Sequence, residues 1–163
     1  MAKNQEKPVN RLIGELKERA KELNCLYAVQ EALAIPEHST EFALTKIISV
    51  IPSGWKYPEI CVSQITVSEH SYHSPNFKKS PWGQHAEIIL QDQTVGRISV
   101  YYTEEKPELD EGPFLSEERR LINTIANQVG NFLLHQHLED IFEQKIRNGA
   151  EPRAGWQVIL GLL

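Results

Sequence analysis

The 163 residues suffice for one domain with a sizeable core but not for two ordinary domains and a linker, and 40% hydrophobic with 24% charged residues excludes collagen-like, low-complexity and wholly disordered chains. A formal net charge of −5 gives no global attraction to a phosphate backbone or an anionic bilayer, so neither nucleic acid nor membrane is expected as a partner. No apolar run nears the roughly 20 residues that span a bilayer and the polar opening Met1 to Pro8 lacks a signal-peptide core, so a cytoplasmic location is expected.

Residues 1–8 read as a flexible N-terminus. From Val9 to Tyr27 apolar residues recur at three- and four-residue steps, which predicts an amphipathic helix. Its series Val9, Leu16, Leu23, flanked by Ile13, Ala20 and Tyr27, suits packing along another helix. Beyond Pro36, Ser39-Thr40-Glu41 opens a second helix with Phe42, Leu44, Ile47, Ile48 and Ile51 on its buried side. The proline-rich loop Ile51 to Pro58 then turns the chain toward a sheet, with Trp55 expected as a packing anchor. Strand signals follow at Cys61 to Val67, Glu69 to Phe77, His85 to Gln91 and Val95 to Thr103. Gln91 to Thr94 is short enough for a hairpin turn, so the last two strands are expected to be antiparallel neighbours.

An acidic crossing, Glu104 to Pro113, leads to Ser116 as the expected N-cap, with Glu117 and Glu118 set against the helix dipole. Leu121, Ile122, Ile125, Ala126, Val129, Phe132, Leu133, Leu138, Ile141, Phe142 and Ile146 then mark a helix too long for a small domain. Long helices at both ends, with strands between, predict that both lie on one sheet face and pair with a second copy. The expected interface is Val9, Leu16 and Leu23 on the first helix with Ile122, Ile125, Val129 and Leu133 on the last. Residues 149–163, with Trp156, Val158, Ile159, Leu160, Leu162 and Leu163, read as the start of a linker to a downstream effector region in cis.

Lys21 to Tyr27, Ile51 to Cys61 and Asp110 to Arg119 resemble the GAF-like modules found N-terminal to bacterial and archaeal sensor histidine kinases and to phosphoenolpyruvate-synthase-like phosphotransfer domains, and the tail Gly155 to Leu163 is similar to the segment leading into the latter. The resemblance covers roughly residues 11–147 and makes residues 9–148 the GAF-like domain. It implies an α+β fold: a central antiparallel sheet, long N- and C-terminal helices bundled on one face, and any ligand pocket on the other. The inter-strand insertion Tyr72 to Gly83 is short for the lid that a closed pocket needs.

Catalysis needs a nucleophile with a base, paired acids or a metal cluster in one cleft, and none is legible, so neither enzyme activity nor a cofactor is expected. GxxxxGK[ST] and GxGxxG do not occur. His70 and His73 fall on opposite strand faces; a metal site from His73, His85 and Cys61, or a hydrolase built on His73, His85 and Glu87, competes with the commoner reading of independent residues. Cys25 and Cys61 lack CxxC spacing and read as packed thiols. In the last strand Ile98, Val100 and Tyr102 belong under the helices, while Arg97, Ser99 and Tyr101 face away. That second set, with Glu87, and with Tyr72 and Trp82 as walls, either lines a pocket for a small molecule of unknown identity or faces water, the commoner arrangement. The expected function is a non-catalytic regulatory and dimerisation module that transmits through its terminal helices. The alternative is a small-molecule sensor that uses the sheet face.

Overall fold

The computed structural model describes the backbone of residues 2–35 and 39–148, and their side chains from residue 8. The first helix, α1, spans Ala2–Ala34 and so includes the segment expected to be flexible. Ala, Lys, Gln and Glu dominate that segment and favour helix, although Pro8 has no N–H for the carbonyl four residues back. Two apolar rows run along α1. Cys25, Val29 and Ala32 are at most 2% exposed, whereas Val9, Leu12, Ile13, Leu16, Leu23 and Tyr27 keep 46 to 62% of their surface on the opposite side.

Ser39 caps α2, Thr40–Val50, through its Oγ, which accepts the Phe42 N–H at 3.1 Å. The buried rows are Ala43 with Ile47 and Leu44 with Ile48, which turns Phe42 outward, half exposed, instead of into the expected core position. Two short 3₁₀ turns, Ile51–Gly54 and Pro58–Ile60, fill the proline-rich loop. Between them Trp55 is fully buried and donates its Nε1–H to Gln84 Oε1 at 3.1 Å, the expected anchor with its polar edge satisfied.

The strands β1 (Cys61–Val67), β2 (His70–His73), β3 (Gly83–Leu90) and β4 (Gln93–Tyr102) form one antiparallel sheet in the order β2-β1-β4-β3. β2 is shorter than expected. Its ladder ends where the Ser74 hydroxyl takes the Ser63 N–H at 3.0 Å and Asn76 turns the chain with φ 59°. The β3–β4 hairpin closes on Gln91 and Asp92, both at positive φ (50° and 65°), a turn whose twist matches its strands. Gly96 lies opposite Val67, where a Cβ would stand 2.1 Å from the Thr66 carbonyl oxygen. Gly96→Ala should therefore force β1 and β4 apart and cost about 2 kcal/mol or more. A urea midpoint unchanged from the parent would refute that close approach.

α3, Ser116–Arg147, packs mainly on β3, and Gly130 lets its backbone approach the Ile89 carbonyl. Leu121, Ile122, Ile125, Ala126 and Val129 join Ile65, Ala86, Ile88, Ile98, Val100 and Tyr102 in one core between sheet and helices. This corrects the expected interface. Ile122, Ile125 and Val129 are completely buried within the chain, and half-buried Leu133 packs on the same core, so a second copy cannot reach this row. The physical reason is that the sheet needs an apolar cover and the first half of α3 carries a single strong apolar row. Val9, Leu16 and Leu23 stay exposed.

α1 and α3 run in the same direction. Glu18 and Glu22 lie beside Leu115 to Leu121, and Gln30 to Ala34 beside Gln128 to His135. Among the described residues no helix is long and apolar enough to cross a membrane. The expected linker, residues 149–163, lies outside the described residues.

Candidate functional site

Strand alternation carries one row across the outer sheet face, His73–Gln64–Ser99–His85, and a second beside it, Ser71–Thr66–Arg97–Glu87. Arg97, Ser99, Tyr101 and Glu87 therefore share that face, as expected. Tyr72 and Trp82 do not wall it. Tyr72 is paired with Ile65, and Trp82 precedes the Gly83–Tyr101 pair, so both side chains pack on the core beneath the helices. The register likewise dismantles the metal set. Cys61 pairs with Tyr102 and belongs to the helix side, while His73 and His85 sit on the two outer strands, about 14 Å apart at ordinary strand spacing. Among the described residues no group of three His, Cys, Asp or Glu side chains is placed to hold a metal ion.

The middle of this face is neither open to water nor hollow. Phe77, from the loop after β2, lies over it with ring centroids 5.5 Å from His73 and 5.8 Å from Tyr101, and His85 meets the Tyr101 ring at 5.4 Å. Ser99 and Tyr101 are only 4% and 8% exposed as a result, whereas Arg97 and Glu87 are exposed at the end of the face. His85 Nδ1 lies 2.8 Å from Ser99 Oγ. Burial first, and the positive charge of Arg97 next, hold the His85 pKa below its ordinary value.

The outer face is tied to α3 through the edge strand. Arg119 donates Nη1–H to the His85 carbonyl, and its Nε and Nη2 each reach a Glu111 carboxylate oxygen at 2.8 Å. Gln84, bonded to Trp55 on one side, donates to Glu111 Oε2 at 3.1 Å on the other. One turn away, Leu115 and not Ser116 is the N-cap residue of α3. Leucine has no side-chain acceptor for the Glu118 N–H, which goes to the Leu115 carbonyl at 3.1 Å, while the Glu118 carboxylate supplies the reciprocal half of a capping box: it accepts the Leu115 N–H at 2.7 Å, together with the Lys56 N–H at 2.7 Å and the Tyr102 hydroxyl at 3.3 Å. Asp110 accepts the Ser116 N–H at 2.9 Å. The first turn of α3 is thus bonded to β3, to β4 and to the loop after α2.

No protein-family model matches the chain, and no curated protein does either. The Ser99 hydroxyl lies within hydrogen-bond reach of the His85 imidazole but is only 4% exposed, and the two thiols are buried, with the Cys25 pKa pushed up to about 11 and the Cys61 pKa raised further, chiefly by desolvation. The remaining distinctive surface is the outer side of the helices. A groove of about 580 Å³ separates Leu12 to Arg19 of α1 from Lys56, Asp110, Leu115 and Glu117, and another of about 470 Å³ lies between Gln30, Leu33 and Ala34 of α1 and Gln128, Asn131, Phe132 and His135 of α3. Sequence reasoning missed Gln84, Glu111, Glu118 and Arg119 as a network. Two signals were available: a polar residue at 84 in phase with buried Ala86 and Ile88, and a glutamate three positions after Leu115.

Proposed function

We propose that this chain is a non-catalytic, dimeric GAF-like module that couples the state of its sheet to a downstream effector in cis through its terminal helices. The observation that carries the reading is the second apolar row of α1. Val9, Ile13, Leu16, Ala20, Leu23 and Tyr27 alternate steps of four and three on the side away from the core, all of them exposed. A soluble helix with one buried and one exposed apolar row lacks a partner for the second. The four-stranded order β2-β1-β4-β3, with the helices on one face, supports the GAF-like likeness, as does the resemblance of residues 11–147. A kinase or a phosphotransfer region is the effector class that resemblance suggests, and the setting is cytoplasmic.

Exchanging both Leu16 and Leu23 for Glu adds charge to an exposed row and removes nothing from the core. The doubly substituted chain is expected to sediment as a monomer at micromolar concentration while melting within a few degrees of the parent. A parent chain that is itself monomeric there would refute the module as described.

One observation favours a second reading, a small-molecule sensor. His85 presents its ring to the polar sheet face and its carbonyl to Arg119 of α3, so a ligand displacing Phe77 would act directly on the first turn of that helix. A ligand bound only by the folded chain raises its melting temperature. Thermal-shift screening against nucleotides, keto acids and tetrapyrroles with Phe77→Ala beside the parent tests it, and no shift in either protein retires it.

A further inference from the structure

Independently of both readings above, since it needs neither a second copy nor a ligand, we infer that residues 75–79 are a strap that closes over the outer sheet face and opens when His85 takes up a proton. The strap is clamped at both ends. On one side the Ser74 N–H reaches the Ser63 carbonyl at 2.9 Å and the Ser74 hydroxyl takes the Ser63 N–H at 3.0 Å. On the other, Ser80 donates its hydroxyl to the Tyr102 carbonyl at 2.6 Å and accepts the Trp82 N–H at 3.1 Å. Between the clamps Asn76 turns the chain at φ 59°, and among the described residues none from Pro75 to Lys79 hydrogen-bonds to the sheet. Phe77 holds this segment down through its ring, stacked on His73 at 5.5 Å and 24° and meeting Tyr101 edge to face at 5.8 Å. A segment held by side-chain packing and not by a backbone ladder opens locally while the sheet stays folded.

His85 lies where that cover matters. Ser99 and Tyr101 are 4% and 8% exposed, His85 Nδ1 is 2.8 Å from Ser99 Oγ, and the His85 ring meets Tyr101 at 5.4 Å. An imidazolium carries hydrogen on both nitrogens, yet His85 Nε2, beside Gly83 and the Tyr101 ring, has no protein acceptor among the described residues. The surrounding charge acts in the same direction. Arg97 from β4, Arg119 from α3 and Lys79 from the strap face the ring, against Glu111 from the segment before α3 and Glu87 on the ring's own strand, whose carboxylate takes the Thr94 hydroxyl. Arg97 and Arg119 stay with sheet and helix, whereas Lys79 leaves with the strap. Burial first, then these cations, hold the His85 pKa below its ordinary 6.5, so the closed strap binds the proton less tightly than the open one. Closure is therefore fully supported above pH 6.5 and loses that support as pH falls through the closed-state value. The coupling is reciprocal: each unit by which opening raises the His85 pKa is about a tenfold gain in open strap at acid pH.

Fluorine NMR of the chain carrying para-fluorophenylalanine reads the strap, and proton NMR of the imidazoles reads the switch. The Phe77 resonance is the one missing from Phe77→Leu, the His85 resonance the one missing from His85→Asn, and buried Phe114 serves as reference. From about pH 8 to pH 5 the Phe77 resonance should move toward its solvent-exposed position while that of Phe114 stays. In His85→Asn, which keeps a hydrogen-bonding group for Ser99, it should hold its closed position throughout. Phe77→Ala, a change at one half-buried loop side chain, should shift the His85 titration upward toward 6.5. An identical His85 titration in the parent and in Phe77→Ala would overturn the coupling, whether or not His85→Asn folds. A Phe77 resonance that ignores pH in the parent would overturn the opening, and one that moves equally in His85→Asn would assign it to another group, His73 first, and remove His85 from the switch.

Discussion

Val129→Asp is expected to abolish folding, not to release a folded monomer. Val129 has no exposed surface and sits where α3 crosses the sheet, in the cluster with Ile88, Ile98 and Ile125. An aspartate there loses the packing of a valine and buries either an unpaired charge or an unpartnered carboxylic acid, which costs several kcal/mol even after relaxation. Domains of this size have about 5–15 kcal/mol of total stability, so a single such change consumes a large part of it. Circular dichroism should show lost helix signal, and the chain should be insoluble or fail to melt cooperatively. Glu143→Ala, at an exposed position with a 4.0 Å ion pair to Arg147, should behave as the parent. A soluble Val129→Asp monomer melting like the parent would instead return this residue to an intersubunit surface and displace α3 from the sheet.

Glu118 is the second position where one atom group holds several elements. Its carboxylate is 3% exposed and accepts from Leu115, Lys56 and Tyr102, so Glu118→Ala leaves two backbone N–H groups and a phenol without their acceptor. At about 1–3 kcal/mol for each orphaned buried group, less where water enters, the loss should reach about 3 kcal/mol and loosen the start of α3. Burial raises the Glu118 pKa above its ordinary 4.5, against the opposing effect of the Leu115 and Lys56 N–H bonds. The folded chain thus binds this proton more tightly than the unfolded one. The stability that this adds is fully present below pH 4.5 and is lost as pH rises through the raised folded value.

Neighbouring groups have the other sign. The Arg119 hydrogen bond lowers the Glu111 pKa, so its contribution is present above pH 4.5 and lost as pH falls through the lowered value. His85, lowered chiefly by burial, contributes above pH 6.5 and loses that contribution as pH falls through its folded value. Glu118→Gln removes the first slope alone. Its melting temperature should therefore rise relative to the parent as pH increases above 4.5, whatever its offset at low pH. A difference between the two proteins that stays constant across that range would show that Glu118 titrates in the folded chain as it does in the unfolded one.

Local patterns were sufficient wherever an interaction is short in sequence. Period-two alternation placed Ile98, Val100 and Tyr102 under the helices and Arg97, Ser99 and Tyr101 away from them, the Ser39 cap began α2, and the turn after Leu90 paired β3 with β4. Buried Trp55 and the buried thiols were legible for the same reason, since their neighbours in the chain already imply a core. Strand order was not. The order β2-β1-β4-β3 puts His73 and His85 at opposite edges, the pairing register sends Tyr72 and Trp82 to the core side, and no local pattern encodes which strands become neighbours. The helices show the limit most clearly. Helical periodicity reveals that α1 and α3 have apolar rows, but burial free energy is non-directional and does not say what covers each row. In α3 the sheet claimed Ile122, Ile125 and Val129, while in α1 the other helices and the turn after α2 claimed Cys25, Val29 and Ala32 and left Val9, Leu16 and Leu23 to solvent. That choice belongs to tertiary packing, because the same apolar row serves equally well against a sheet or against a second helix until the rest of the chain brings one of them into contact.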